Sequence, residues 1–207
     1  MNSSSSYWEN YYSKHREPSN CSPFAEFVTP FLKEGKKLIE FGCGNGRDSK
    51  HFAQQGINVL ALDQCEKEMA FLSDTFKETE NLNFLAEDMT NLPEMEKSDF
   101  LYSRFTIHAI DKAGEGKLIR WAADNLKTNG LFFVEVRSVK DDLFGVGEAL
   151  ADNAFFTDHY RRFIVLDELH QQFSSNEFDV LYSIESKGLA PYKTEDPVVI
   201  RLIAQKK

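Results

Sequence analysis

Glycines at positions 42, 44 and 46, an acid at 40 and another at 63 are the residues of this sequence whose types and spacing most plainly allow chemistry. Glycine at alternate positions lets a chain turn sharply and lets a ligand approach the backbone with no Cβ in the way. Asp63 stands where a strand–helix–strand nucleotide site places a carboxylate against ribose hydroxyls. A dinucleotide fingerprint needs its third glycine three positions after the second; that position is Arg47, so the loop reads G-x-G-x-G. Further along, His108 is a candidate general base or hydrogen-bond donor, and Arg137, Arg161 and Arg162 are candidate partners for an oxyanion.

These side chains need a frame. Leu38, Ile39 and Phe41 form an apolar run short enough for a buried strand, and a helix with Phe52 and Ala53 on its inner side follows until Gly56 ends it. A second strand over 57–62 stops at Asp63. Cys65, Met69, Leu72 and Phe76 recur at helical spacing, a core stripe rather than a ligand box, and a third strand over 82–86 ends at Glu87-Asp88-Met89. A fourth strand, 99–103, leads to His108. The helix through Leu118, Ile119, Ala122 and Leu126 is expected to end at Asn129-Gly130, with a fifth strand over 131–136. Segment 138–163 carries Phe144-Gly145-Val146-Gly147 and Phe155-Phe156; its length points to function and its aromatics argue against disorder, so it reads as an acceptor-binding insertion. A helix near 167–173, a strand near 178–185, a loop through Gly188 and Lys193 and a strand over 198–204 complete an alternating α/β pattern.

Upstream, Ser6-Tyr7-Trp8-Glu9 offers a capping box, and Tyr7, Trp8, Tyr11, Tyr12 and His15 fall on one helical face that either packs on the domain or covers a ligand. Pro18, Pro23 and Pro30 punctuate a linker and a second helix around Phe24, Phe27, Val28 and Phe31.

Strand, glycine loop, helix and distal acid in this order resemble the class I S-adenosylmethionine-dependent methyltransferases. The loop Gly42-Cys43-Gly44-Asn45-Gly46-Arg47-Asp48-Ser49 is similar to that of small bacterial members, such as the tellurite-resistance enzymes and those of capsule or natural-product pathways. The resemblance covers nearly the whole chain. It implies one α/β, Rossmann-like domain over 1–207, with seven strands in the order 3-2-1-4-5-7-6, the last antiparallel, and helices on both faces. It also implies an N-terminal helical lid or cap over 1–35 and an acceptor-side insertion over 138–163. The implied cofactor is S-adenosyl-L-methionine, contacted by Glu40, Gly42, Cys43, Gly44, Asn45, Gly46, Arg47, Asp63, Gln64, Asp88, Met89, Ser103 and Tyr12, with Asp88 at the adenine amine.

Catalytic roles are expected for His108, Arg137 and Arg161, with Tyr7, Tyr11, Arg104, Arg162, Tyr192 and Lys193 around the acceptor. Arginines clustered in the variable segments of an otherwise acidic chain favour O-methylation of an anionic group (phosphate, phosphonate or carboxylate) on a small molecule or cell-surface precursor. A neutral hydroxyl or amine acceptor would instead need His108 as base. No Asn/Asp-Pro-Pro-Tyr motif follows the fourth strand, which argues against methylation of amino groups on nucleic-acid bases or glutamine. Two other classes share parts of the pattern. A nicotinamide oxidoreductase is opposed by Arg47 and by the lack of a recognisable catalytic tyrosine–lysine pair; a protein that binds the cofactor without catalysis is the second.

With 207 residues, 42% hydrophobic and 28% charged, the chain fits one domain with a self-sufficient core. Twenty-four basic residues against 33 acidic ones give a net charge of −9, which opposes general affinity for nucleic acid or anionic membranes. The absence of a basic, apolar leader and of a membrane-length apolar run leads to the expectation of a cytoplasmic protein; a monomer or homodimer is expected, with no sequence feature that chooses between them. Cys21, Cys43 and Cys65 lack the close pairing of zinc sites and are expected to be free, buried thiols; Asp141 and Asp142 read as loop charges, and no metal is expected.

Overall fold

The computed structural model describes residues 7, 8, 10–12 and 20–207, so Ser6, Glu9, His15 and Pro18 lie outside the described residues. Residues 7, 8 and 10–12 are helical. Helix α1 (Pro23–Val28) starts with Ser22 as N-cap, its hydroxyl accepting the Ala25 N–H at 3.0 Å, and with proline in the first turn, where a missing N–H costs nothing. A short 3₁₀ turn, Thr29–Phe31, follows. The chain then alternates: β1 (Lys37–Phe41), α2 (Arg47–Gln54), β2 (Asn58–Asp63), α3 (Glu66–Thr75), β3 (Leu82–Ala86), β4 (Ser98–Arg104), α4 (Lys112–Asn125) and β5 (Leu126–Arg137). The last part comprises β6 (Glu148–Ala149), β7 (Ala154–Phe156), β8 (Tyr160–Arg162), α5 (Leu166–Ser174), β9 (Phe178–Ser186) and β10 (Val199–Lys206).

Seven strands form one sheet in the order β3-β2-β1-β4-β5-β10-β9, the expected arrangement. The first five pair in parallel and β10 runs antiparallel to both neighbours. Side chains on a strand alternate between faces, so Leu38 packs with Phe24, Phe52, Met69 and Tyr102, while its neighbour Ile39 packs with Leu118, Ile119, Phe132 and Leu169. Each face is thereby covered by helices, and the central strands β1 and β4 are buried on both sides.

One boundary differs from expectation. The fourth helix ends at Asn125, not at Asn129-Gly130, because Leu126 already pairs with Ser98 in the sheet. Asn129 takes φ 64° inside an irregular stretch of β5, and a Cβ on Gly130 would sit 2.9 Å from the Asp99 carbonyl, so this pair bends a strand and does not cap a helix. Segment 138–163 is a three-stranded antiparallel sheet, β6-β7-β8, over a cluster in which Phe144 meets Phe155 and Phe163 edge-on at 5.3 and 5.6 Å. All three cysteines are free thiols, Cys43 and Cys65 buried as expected and Cys21 only half-buried; among the described residues no helix is long and apolar enough to cross a membrane and no metal-ligand cluster occurs.

Candidate active site

At the carboxyl ends of the parallel strands lies a cavity of about 960 Å³, where ligands bind in sheets of this kind. The glycine loop is one wall. Gly42 has φ 67°, and a Cβ there would fall 2.2 Å from Thr106 Oγ1. That hydroxyl donates to the Phe41 carbonyl at 2.8 Å and ties the end of β4 to the end of β1, so the position has room for glycine alone. Gly44 faces the Tyr12 hydroxyl, which a Cβ would meet at 2.8 Å.

Buried carboxylates line the same wall. Asp63 accepts the Gly44 N–H at 3.1 Å on one oxygen and the Cys65 N–H at 3.0 Å on the other, with the Gln64 N–H and the Cys65 thiol also directed at the carboxylate. Burial pushes its carboxyl up, against the pull of those N–H groups. Glu40 accepts from Ser49 Oγ at 2.5 Å, and burial, with Asp48 alongside, holds it well above the usual carboxylate range. Asp48, in the first turn of α2, takes the Ser22 N–H and hydroxyl at 2.7 Å each and the Tyr102 hydroxyl at 2.8 Å, which fastens the start of α1 to the loop. This wall fits a ligand with hydroxyl donors and positive charge. A pyrophosphate would face Glu40, Asp48 and Asp63 with Arg47 as the nearby cation.

The opposite wall starts at Phe105, a non-glycine residue at φ 56° just past β4, where the left-handed conformation stores strain. Its ring lies 4.3 Å below the Arg104 guanidinium and 5.2 Å from the His108 ring. His108 is buried and its Nδ1 accepts the Arg137 N–H at 3.3 Å. A backbone N–H only donates, so the imidazole proton resides on Nε2. Burial and then the Arg137 charge keep its pKa well below the ordinary histidine value, so the ring is neutral. The Arg137 guanidinium donates to Asp141 at 3.1 and 3.2 Å and to Glu195 at 2.8 Å.

The β7–β8 turn closes this wall. Arg161 donates to His159 Nε2 at 2.9 Å, which leaves His159 Nδ1 to donate to Asp158 at 2.7 Å. Asp158 also accepts from the Tyr7 hydroxyl at 3.0 Å, and the Tyr7 ring stacks on His159 with centroids 4.6 Å apart. Burial first, and this hydrogen bond second, push the Tyr7 phenol up to about 12. The N-terminal helical residues and the inserted sheet thus touch over the cavity. Among the described residues, no carboxylate forms an ion pair with Arg161.

Of the residues expected at the cofactor, Tyr12, Glu40, Gly42, Cys43, Gly44, Asn45, Arg47, Asp63, Gln64 and Met89 lie on the cavity wall. Gly46, Asp88 and Ser103 do not. Gly46 caps α2, and a Cβ there would press on Phe84 and Leu72 at 3.1 and 3.3 Å, so it serves packing. Asp88 is exposed and accepts from the Thr90 N–H and hydroxyl at 2.8 Å each, closing a turn. Ser103 is fully buried within β4.

On the acceptor side, Tyr7, Tyr11, Arg104, His108, Arg137, Arg161 and Tyr192 share the wall, while Arg162 and Lys193 do not. Alternation along β8 turns Arg162 away from its neighbour Arg161 and into a buried ion pair with Glu115. Lys193 is exposed, with its ammonium over the Tyr192 ring at 5.2 Å. Arg104 is on the wall, but its Nε is held at 2.9 Å by Glu135, which also takes Arg201 at 2.7 Å. The three are lateral neighbours on β4, β5 and β10, a row visible only once the strands are in register.

Sequence reasoning does not find Thr106, Asp141, Asp158, His159, Glu195 or the Ser22–Asp48–Tyr102 group as parts of the site. Ser22-Pro23 carries a legible helix-start signal; Glu195, in a loop far along the chain, carries none.

A family model described as a methyltransferase domain matches residues 12–183, and the chain belongs to that family. Over 109 residues it is 28% identical to a probable S-adenosyl-L-methionine-dependent methyltransferase, TehB, of Haemophilus influenzae; the match takes in 52% of this chain and 38% of that relative's length. A ubiquinone biosynthesis O-methyltransferase of Rickettsia akari is 25% identical over 169 residues, 77% of this chain and 64% of the relative. Among solved structures, a TehB-like S-adenosylmethionine-dependent methyltransferase of Corynebacterium glutamicum superposes with TM-score 0.72 at 15% identity, covering 98% of this chain and 99% of that one. The 1,6-didemethyltoxoflavin-N1-methyltransferase of Burkholderia thailandensis, solved with its acceptor and S-adenosylhomocysteine, gives 0.73 at 18% identity over 98% and 84%.

Proposed function

We propose that the chain binds S-adenosylmethionine on the glycine-loop wall and transfers its methyl group to an oxyanion of a small acceptor held on the opposite wall. When bound, the cofactor supplies an electrophilic methyl on a sulfonium. Asp63, set on the cavity wall by its backbone N–H partners, accepts from the ribose hydroxyls, and the Glu40 carboxyl faces the cationic part of the ligand, whose charge favours its ionised form. The glycine loop admits close contact, and Tyr12 and the Tyr7 helix exclude water from above.

An anionic acceptor is already a nucleophile and needs only alignment with the methyl group, which holding two reactants in line supplies. The observation that carries this choice is the His108 hydrogen bond: with Nδ1 committed to the Arg137 N–H, Nε2 is a donor and has no lone pair for an acceptor's proton. His108 therefore orients an oxyanion, and Arg161 supplies charge.

Thermal melts test the cofactor assignment. S-adenosylhomocysteine at a hundred times Kd adds about 2.7 kcal/mol, which raises Tm by roughly 5 to 11 °C in a domain of this size. A shift with NAD and none with S-adenosylhomocysteine would overturn it.

A further inference from the structure

Arg137 and Arg161 reach the acceptor wall from different segments, and Arg161 lies within electrostatic reach of both Arg137 and Glu195. Two carboxylates hold Arg137, and they are unlike. Asp141 is buried, contacts the guanidinium with both oxygens, and is pinned by the Leu143 N–H at 3.0 Å. Glu195 sits on the loop between β9 and β10, its side chain 60% exposed, and reaches in to take the remaining Nη2 at 2.8 Å. Backbone bonds at 2.9 Å in both directions with Tyr192 set that loop beside the cavity mouth. Around the two guanidiniums stand Asp141, Asp158 and Glu195. Asp158 keeps its charge within reach of Arg161 but is held by the Tyr7, His159 and Thr157 donors, and Asp141 is buried, so Glu195 is the carboxylate placed to exchange.

We propose that Glu195 occupies the acceptor's anion subsite, and that a carboxylate, phosphate or sulfonate binds Arg137 Nη2 and Arg161 by taking its place. The inference rests on the anionic-acceptor reading above. An exposed carboxylate regains its hydration when released, so the exchange costs little, whereas Asp141 has no water to return to. A neutral acceptor has nothing to put in the place of Glu195 and leaves the subsite filled.

Titration calorimetry of the full chain, saturated with S-adenosylhomocysteine, against inorganic sulfate tests this. Glu195→Gln and Glu195→Ala should each bind sulfate roughly three- to tenfold more tightly than the parent, because the competent fraction of the site rises. Arg161→Gln should weaken sulfate in both the parent and the Glu195→Gln background. Equal sulfate affinity in parent and Glu195 variants, with the Arg161 dependence retained, would overturn the exchange and leave the anionic-acceptor reading standing. No sulfate binding by any variant while S-adenosylhomocysteine still binds would overturn both.

Discussion

On the glycine-loop side of the cavity the important groups lie between residues 40 and 63 and are locked mostly by their own neighbourhood: Asp63 by two backbone N–H groups, Glu40 by Ser49. The acceptor side instead gathers Tyr7, His108, Arg137, Arg161 and Glu195 from five separate stretches, and holds them by hydrogen bonds that run between those stretches and their neighbours. One wall is a local motif that binds a fixed ligand, the other a tertiary assembly whose charges must be released or shared when a ligand arrives. Substitutions on the two walls should therefore fail differently.

The sharpest contrast is between two adjacent arginines. Arg162→Ala leaves Glu115 buried without its partner and should cost about 3–5 kcal/mol of stability, read as a large drop in Tm. Arg161→Gln should leave Tm and cofactor affinity near the parent values and lower kcat/KM by about 10- to 150-fold, the usual worth of a desolvated contact between arginine and an oxyanion. Equal thermal losses in the two variants would dissolve the distinction.

On the cofactor wall, Asp63→Ala should weaken S-adenosylhomocysteine by about 100-fold, since it removes charge-assisted bonds to two hydroxyls. Asp88→Ala, off the wall and engaged with Thr90, should change the affinity less. Titration calorimetry of both variants ranks them, and a larger loss in Asp88→Ala would reverse the assignment.

The pH dependence of stability should be the smallest effect. His108 has a folded pKa below its unfolded value of about 6.5, so the unfolded chain binds more protons as pH falls through that region. Its contribution is fully present above 6.5 and is lost as pH falls toward the depressed folded pKa. Tm should decline on the acid side, and His108→Gln should flatten the decline. An unchanged acid limb would show that His108 is not buried as a neutral ring.

The same difference between a local motif and a tertiary assembly decides which parts of the molecule are legible in its sequence. The glycine–acid spacing is local and repeats the physics of one βαβ unit, and the resemblance that it carries implies the sheet order that the seven strands adopt. The Glu135 row depends on the register of three strands, and the opposite fates of Arg161 and Arg162 depend on the extended backbone of β8, within a segment whose sequence shows an insertion but no strand pattern. Ser103 is expected at the cofactor from its place near the end of β4, but β4 is a central strand covered on both faces, and Ser103 is buried within it. The end of α4 is hidden because Asn129-Gly130 carries the signal of a helix stop while serving a bend in β5.

The central claim is that methyl is delivered to an oxyanion rather than to a neutral hydroxyl or amine, and the product's chemistry tests it most directly. Methyl-labelled S-adenosylmethionine would be incubated with the chain and a panel of small carboxylic and phosphoric acids, each paired with its amide or neutral ester. The account predicts label in the acids alone, recovered from the carboxylic acids as methyl esters that mild base converts to methanol, with the signal reduced in Arg161→Gln. Base-stable label on neutral hydroxyls or amines, abolished by His108→Gln and indifferent to Arg161, would contradict it.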